Sequence, residues 1–323
     1  MRAIVQDKYG DADVLRLEEV ERPEPGHQQV LIRVRAAGVD PGVWHIMAGQ
    51  PLGVRPAFGV RRPRQRTRGA DIAGIVEAVG PGVTRFVPGD EVFGVASGSF
   101  ADFALASSEK GLAHKPEGLS FAEAAVIPIS GCTALQGLRR GGVAGGARVL
   151  VLGASGGVGS FAVQLAKAFG AHVTGVASTG KLDFVRGLGA DEVMDYTQQD
   201  PVDGTRRFDL ILDTGGNRPL RKLRRALAPG GTLVIVGGEG GRGLLGGFER
   251  AMLGAPVLSL VTGQKLRGLT AVTSRADLIT LTEFVEAGQL RAPLDRTFPL
   301  EEAPDAIRYL HAGTVRGKVA ITI

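Results

Sequence analysis

Between Arg148 and Phe169 the chain places a glycine-rich run, Gly153-Ala-Ser-Gly-Gly-Val-Gly159, in which the backbone would do the chemistry. Glycine lets the chain turn sharply and lets a pyrophosphate approach the peptide N–H groups closely. A short apolar segment, Arg148–Leu152, leads into the run, and an amphipathic one, Ser160–Phe169, leads out of it. Strand, glycine turn and helix in that order put a helix N-terminus, with its free N–H groups and partial positive charge, against the phosphates. Gly153, Ala154, Ser155, Gly156, Gly157, Val158 and Gly159 therefore read as a dinucleotide cradle. The next apolar segment runs His172-Val-Thr-Gly-Val-Ala-Ser-Thr-Gly-Lys181 and has no carboxylate before Asp183. An NAD site usually places Asp or Glu there to bond the ribose hydroxyls. Here Ser178 can donate to a phosphate and Lys181 can offset its charge, so the 2′-phosphate of NADPH is the expected ligand.

The elements around this turn predict an α/β protein of two domains, as the length of 323 residues allows. The first third reads as β-rich. Gln29–Ala37 and Asp71–Val79 are expected strands, and Pro88-Gly-Asp90 is a turn feeding Glu91-Val-Phe-Gly-Val95, a pattern that suits a small barrel. Phe121–Leu138 reads as helical, interrupted by Pro128 and Gly131. Strands and helices then alternate: strands at Arg148–Leu152, His172–Val176, Glu192–Met194, Leu210–Leu212 and Thr232–Val236, with helices at Gly157–Phe169 and Lys181–Leu188. That rhythm implies right-handed crossovers and a parallel sheet. The C-terminal Lys318–Ile323 is strand-like and is expected to return to the first domain. The expected division is 1–122 with 265–323 for the first domain and 123–264 for the second.

Composition excludes several classes. One cysteine, Cys132, leaves no intrachain disulfide and no cysteine-rich metal site. Its sequence context gives it no base, so it reads as a small buried hydrophobe. The N-terminus lacks the apolar stretch of a signal peptide, and the most apolar run, Ala251–Thr262, is too short to span a bilayer. A reducing, cytoplasmic location is the expectation, with no membrane partner. The net charge is +5. Much of it sits in Arg61, Arg62, Arg64, Arg66 and Arg68, a loop punctuated by proline, and in Arg221, Lys222, Arg224 and Arg225, on a helical pattern ending at Pro229-Gly-Gly231. With aromatics at 5%, stacking platforms are scarce, and both clusters read as solvated surface rather than a nucleic-acid site.

The order and spacing of several motifs resemble the medium-chain dehydrogenase/reductase superfamily, in its zinc-independent quinone oxidoreductase branch. They are Ala37-Gly-Val-Asp-Pro41, Gly69-Ala-Asp-Ile-Ala-Gly-Ile-Val-Glu-Ala-Val-Gly80, Pro88-Gly-Asp-Glu-Val-Phe-Gly94, Ile127-Pro-Ile-Ser-Gly-Cys-Thr-Ala134, the glycine turn, Gly189-Ala-Asp-Glu-Val-Met-Asp-Tyr196 and Gly317-Lys-Val-Ala320. The resemblance covers nearly the whole chain. It implies a GroES-like β-barrel catalytic domain and a Rossmann doubly wound parallel-sheet domain. It also implies that Lys181 and Tyr196 hold the 2′-phosphate, that Thr133 lies near the nicotinamide, that backbone at Thr214 and at Gly237 and Gly238 covers its other side, and that Arg316 adds a phosphate contact. A homodimer, and a share of the substrate mouth for the stretch 240–269, follow from the same resemblance.

In the zinc branch, ligands fall where this chain has Asp40 and Gly69-Ala70-Asp71, and a four-cysteine lobe is absent. Catalytic zinc needs three protein ligands and an open position, which one thiol among scattered histidines does not supply. Without such an electrophile, hydride addition to a quinone or to the β-carbon of an enone is favoured, because charge spreads into a hydroquinone or enolate that hydrogen bonds can stabilise. The substrate loop of the family corresponds to Gly38–Gly49. There His45 is a candidate proton donor, Asp40 a candidate for orienting it or holding the ribose, and Trp44 a candidate pocket wall; each also has a purely structural reading. The expected function is NADPH-dependent reduction of a quinone or an activated C=C, with a tailoring enoyl reductase or a non-catalytic NADPH-binding protein as alternatives.

Overall fold

The computed structural model describes residues 1–216, 218–237, 247, 251 and 254–323. Strands β1 (Arg2–Val5) and β2 (Arg16–Glu19) pair antiparallel. Strands β3 (Gln29–Val39), β4 (Asp71–Val79), β5 (Glu91–Val95), β6 (Phe103–Ser107) and β7 (Leu112–His114) build the main sheet of the first unit. Alternation drives this assembly. Along β3, Val30, Ile32 and Val34 are buried while Arg33 and Arg35 face water, and the buried set packs with Ile72, Val76 and Phe86.

The second unit holds β8 (Arg148–Leu152), β9 (His172–Ala177), β10 (Glu192–Asp195), β11 (Phe208–Asp213), β12 (Leu227–Ile235) and β13 (Lys265–Gly268). They form one parallel sheet in the order β10-β9-β8-β11-β12-β13. This is the Rossmann order, and its direction of winding reverses between β8 and β11. Strands β8 and β11 are nearly continuous apolar runs, as burial on both faces requires. The chain then returns: β14 (Leu294–Pro299) pairs parallel with β15 (Lys318–Thr322), and β15 pairs antiparallel with β3.

The two compact units are residues 1–132 with 272–323, and residues 133–271. The expected boundaries at 122 and 265 differ from these. The second difference has a plain cause, because β13 hydrogen-bonds to β12 and so extends the parallel sheet past residue 265. The helical stretch Phe121–Leu138 is interrupted before Pro128 as expected, into Phe121–Ala125 and Pro128–Gly141, since Pro128 starts a helix but cannot continue one. Gly131 does not interrupt the second of these. Other elements also depart from expectation. The helix expected from Lys181 opens as a 3₁₀ turn, Thr179–Lys181, before Leu182–Gly187. Pro229-Gly-Gly231 lies inside β12, where the register with β11 slips between Phe208 and Leu210. Of the stretch 240–269, residues 240–246, 248–250 and 252–253 lie outside the described residues, as does Gly238. No described helix is long and apolar enough to cross a membrane.

Candidate active site

In the second unit the site is built at the C-terminal ends of β8 and β11, where the strand order reverses. Gly153 ends β8 with φ of 78°, a left-handed conformation that suits glycine. The helix Gly157–Ala168 follows at once, and its N-cap, Gly156, offers no side chain to satisfy the first N–H groups. Those donors therefore remain available to an anion. Close packing holds the turn: a Cβ on Gly159 would stand 2.1 Å from the Gly153 carbonyl oxygen. Ala154 donates its N–H to the Val176 carbonyl, which ties the turn to β9. From the other side, the Thr214 hydroxyl donates to the Leu152 carbonyl at 2.7 Å, and Gly237 lies so near Thr214 that a Cβ there would meet its carbonyl oxygen at 2.5 Å. Thus Gly153–Gly159, Thr214 and Gly237 converge on one crevice edge.

Beyond β9, Ser178 caps the 3₁₀ turn without spending its side chain on the cap. Tyr196 donates its N–H to the Ala177 carbonyl at 3.2 Å, so Ser178 and Tyr196 leave adjacent strands side by side, and Tyr196 is exposed. Lys181 closes the same turn. The structure adds a carboxylate that sequence order hides. Asp195 ends β10 opposite Ala177. Its two oxygens accept from the Thr179 hydroxyl at 2.5 Å and from the Thr197 hydroxyl at 2.7 Å, with the Thr197 N–H at 2.9 Å. These bonds, that from Thr179 foremost, hold the carboxyl below its usual range. An acid so occupied is poorly placed to accept ribose hydroxyls. The residues present fit NADPH. Thr133 lies on the helix Pro128–Gly141, largely buried.

In the first unit, Asp40 is the N-cap of the helix Pro41–Ala48, its Oδ1 accepting from the Gly42 N–H at 2.8 Å. Its Oδ2 is buried and has no hydrogen-bond partner. Asp40 lies on the wall of a cavity of about 410 Å³, with Val43, Ile46, Phe58, Ala70 and Ile129 among its apolar lining and Arg64 and Arg68 among its polar lining. Helical periodicity decides which loop residues reach it. Val43 and Ile46 share one face, whereas Trp44 and His45 do not line this cavity. Trp44 packs on the core formed with Ile307 and Val319, its ring 4.3 Å from that of His311, so its position is that of a core contact rather than a wall of this cavity. His45 points Nδ1 at the Gln50 carbonyl, 2.8 Å away, and Asp40 makes its bond to Gly42. Of the alternatives open for Asp40, the bonds shown are those of a helix N-cap. Arg316 sits in the loop before β15, where its N–H donates to Asp295.

Behind Asp40 lies an ion pair that the sequence reading left unassigned. Strands β15, β3 and β4 are neighbours, and Lys318, Asp40 and Asp71 fall at their matching ends. Lys318 Nζ stands 3.6 Å from Asp71 Oδ2, and both side chains are almost wholly buried. Asp71 Oδ1 accepts from the Ile129 N–H at 3.0 Å. Burial pushes the Asp71 carboxyl up to about 7, against the pull of Lys318 and with a smaller push from Asp40. Arg68 also corrects an expectation, since it is buried and not part of a solvated arginine loop. Its neighbour Arg66 is exposed and pairs with Asp7 and Glu18.

Residues 26–137 match the model of an alcohol dehydrogenase GroES-like domain, and residues 188–321 match that of a zinc-binding dehydrogenase. An NADPH-dependent alkenal/one oxidoreductase of Arabidopsis thaliana is 35% identical over 337 residues, spanning 99% of this chain and 79% of the relative. The chain belongs to the medium-chain dehydrogenase/reductase superfamily. Within that superfamily its relatives include a chloroplast envelope quinone oxidoreductase homolog of Arabidopsis thaliana, 31% identical over 99% of this chain and 98% of the relative. The quinone oxidoreductase of Coxiella burnetii superposes with a TM-score of 0.89 at 29% identity, covering 100% of this chain and 99% of that one. Like those relatives, the protein is an oxidoreductase. Among the described residues, no group of three or more His, Cys, Asp or Glu could hold a metal ion.

Proposed function

We propose that this dehydrogenase/reductase uses NADPH, without zinc, to reduce a quinone or the activated C=C of an α,β-unsaturated carbonyl compound. The observation that supports this is that Ser178 and Lys181 follow β9 and Tyr196 follows β10, while Asp195, which ends β10, is occupied by Thr179 and Thr197. NADPH supplies the hydride when bound. The chain's part is to seat the diphosphate on the N–H groups of Gly157–Gly159 and to shape the crevice with Thr214 and Gly237. Names of relatives that act on alkenals, alkenones and quinones support the acceptor class. Acceptors of this kind disperse the incoming charge, which suits a site whose lining carries hydrogen-bonding groups in place of metal ligands. Asp40, which lines the cavity of the first unit, is the side chain proposed to hydrogen-bond the substrate there, ahead of His45, which does not line it.

Titration of NADPH and NADH by nicotinamide fluorescence tests the cofactor half of this reading. NADPH is expected to bind at least tenfold more tightly, and Lys181→Ala to weaken NADPH by about tenfold with little effect on NADH, the loss of one charge-assisted phosphate bond. Equal affinity for the two cofactors contradicts it. A homodimer is part of the same reading, with β13 the edge strand of the parallel sheet. Light scattering that reports a single-chain mass at micromolar concentration counts against that part alone.

A further inference from the structure

Arg68 is a buried cation whose bonding is unfinished. Its backbone is pinned on both sides: its N–H donates to the Ile4 carbonyl and its carbonyl accepts from the Phe100 N–H. The side chain is only 4% exposed. Nη2 donates to the Gln65 carbonyl, and Nε is buried with no hydrogen-bond partner. A guanidinium has five N–H donors in a planar fork and stays charged at neutral pH. Burying one with a single neutral acceptor is costly, and such cations are kept where an anion completes them.

Among the described residues, no carboxylate pairs with Arg68. Asp7 and Glu18, the acids that pair with the loop's Arg66, are shared between Arg66 and Arg16. Asp40 lies on the same cavity wall, yet its Oδ1 bonds Gly42 and its Oδ2 bonds nothing, so Asp40 and Arg68 do not pair. The cavity that Arg68 lines is otherwise largely apolar, with Val43, Ile46, Phe58 and Ile129, and a second cation, Arg64, lies exposed on its wall. A cavity of about 410 Å³ suits a small organic molecule. An apolar chamber with a buried guanidinium in its lining is complementary to an apolar molecule that ends in a carboxylate.

We propose that Arg68 binds a carboxylate of the substrate, so that the preferred acceptors are enones or quinones that carry an acid group. This rests on the reading of the protein as an NADPH-dependent reductase and names its substrate class. A permanent cation favours a permanent anion over a neutral carbonyl, because only the anion offsets the buried charge before hydride moves. Burial holds the Arg68 pKa down to about 10, which leaves the side chain charged throughout the neutral range.

Two measurements on the full-length protein test the proposal. In the first, kcat/KM with NADPH is compared for 4-oxo-2-pentenoate and its methyl ester, which share the enone and differ in the acid. The acid is expected to be favoured about 10- to 100-fold, the range of a charge-assisted bond, mostly through KM. In Arg68→Met the ratio is expected to fall to near one, and in Arg68→Lys to recover in part. The second measurement needs no turnover: calorimetric titration of the saturated acid 4-oxopentanoate and of its methyl ester, with the oxidised cofactor present. Binding of the acid but not the ester, lost in Arg68→Met, supports the proposal even if no acceptor is reduced. Equal rates and equal binding for acid and ester, or an acid preference that survives in Arg68→Met, overturns it. Equal rates would leave the reductase reading standing, whereas acid binding without reduction of any acceptor would retain the subsite and defeat that reading.

Discussion

Replacing Lys318 by Met is expected to destabilise the first unit strongly, and more strongly as the pH rises. Lys318 and Asp71 are buried together, 3.6 Å apart, and removing one partner leaves the other charge in a medium that cannot solvate it. Breaking a buried pair of this kind costs about 3–5 kcal/mol. The pH dependence follows from the direction of the Asp71 shift. Its folded pKa of about 7 exceeds the unfolded value, so between those two values the native state holds a proton that the unfolded chain has released. On this group's account, stability is fully present below about pH 4, falls by up to about 1.4 kcal/mol per unit as pH rises through that window, and is level above it. Without Lys318 the pull on Asp71 toward ionisation is lost, the upper end of the window moves up, and the fall continues into the alkaline range. Acids held low by arginine, such as Asp7 at about 2, act in the opposite sense in acid. Variant and parent are therefore compared at each pH by urea unfolding. A difference that is flat from pH 6 to 9 contradicts the assignment. The double variant Asp71→Asn/Lys318→Met is expected to recover most of the loss, since neither charge is then left alone.

A second large effect is expected at Gly159. The added methyl of Gly159→Ala would sit 2.1 Å from the Gly153 carbonyl oxygen, so the helix N-terminus and the turn must separate. Overpacking at a rigid contact costs about 1–3 kcal/mol. Because the displaced atoms are those that would face the diphosphate, much of that cost is expected to appear as weaker NADPH binding, about tenfold to a hundredfold. Gly145→Ala serves as the control, with nothing nearer than 3.9 Å to its added carbon. Fluorescence titration with NADPH, alongside thermal melts, separates the two effects. Unchanged NADPH affinity in Gly159→Ala would remove the turn from the cofactor site.

The turn and its sheet were legible in the sequence because their signals are local. Arg148–Leu152, the glycines and Ser160–Phe169 are contiguous, and glycine spacing constrains geometry directly. The occupied state of Asp195 was not legible, because Asp195 reaches Thr179 only through the pairing of β9 with β10. Arg68 was misread for a related reason. A proline-punctuated arginine run looks solvated, and only the bridging bonds of Arg68 to Ile4 and Phe100 show one member turned inward. Asp71 and Lys318 come from opposite ends of the chain and meet because β15 and β4 both flank β3. Trp44 and His45 carried functional signals by type, but the face of their helix that lines the described cavity is that of Val43 and Ile46. The glycine turn of the second unit thus rests on local pattern. The cavity of the first unit and the ion pair behind Asp40 are assembled by long-range pairing that residue spacing does not encode.

Stopped-flow oxidation of NADPH, followed as loss of nicotinamide absorbance in the presence of a metal chelator, tests the central claim most directly. With a panel of quinones and α,β-unsaturated ketones, the account predicts acceptor-dependent oxidation that the chelator does not diminish and that NADH supports at least tenfold less well at equal, subsaturating concentration. Tight NADPH binding with no acceptor reduced, or activity that appears only on addition of zinc, would contradict it.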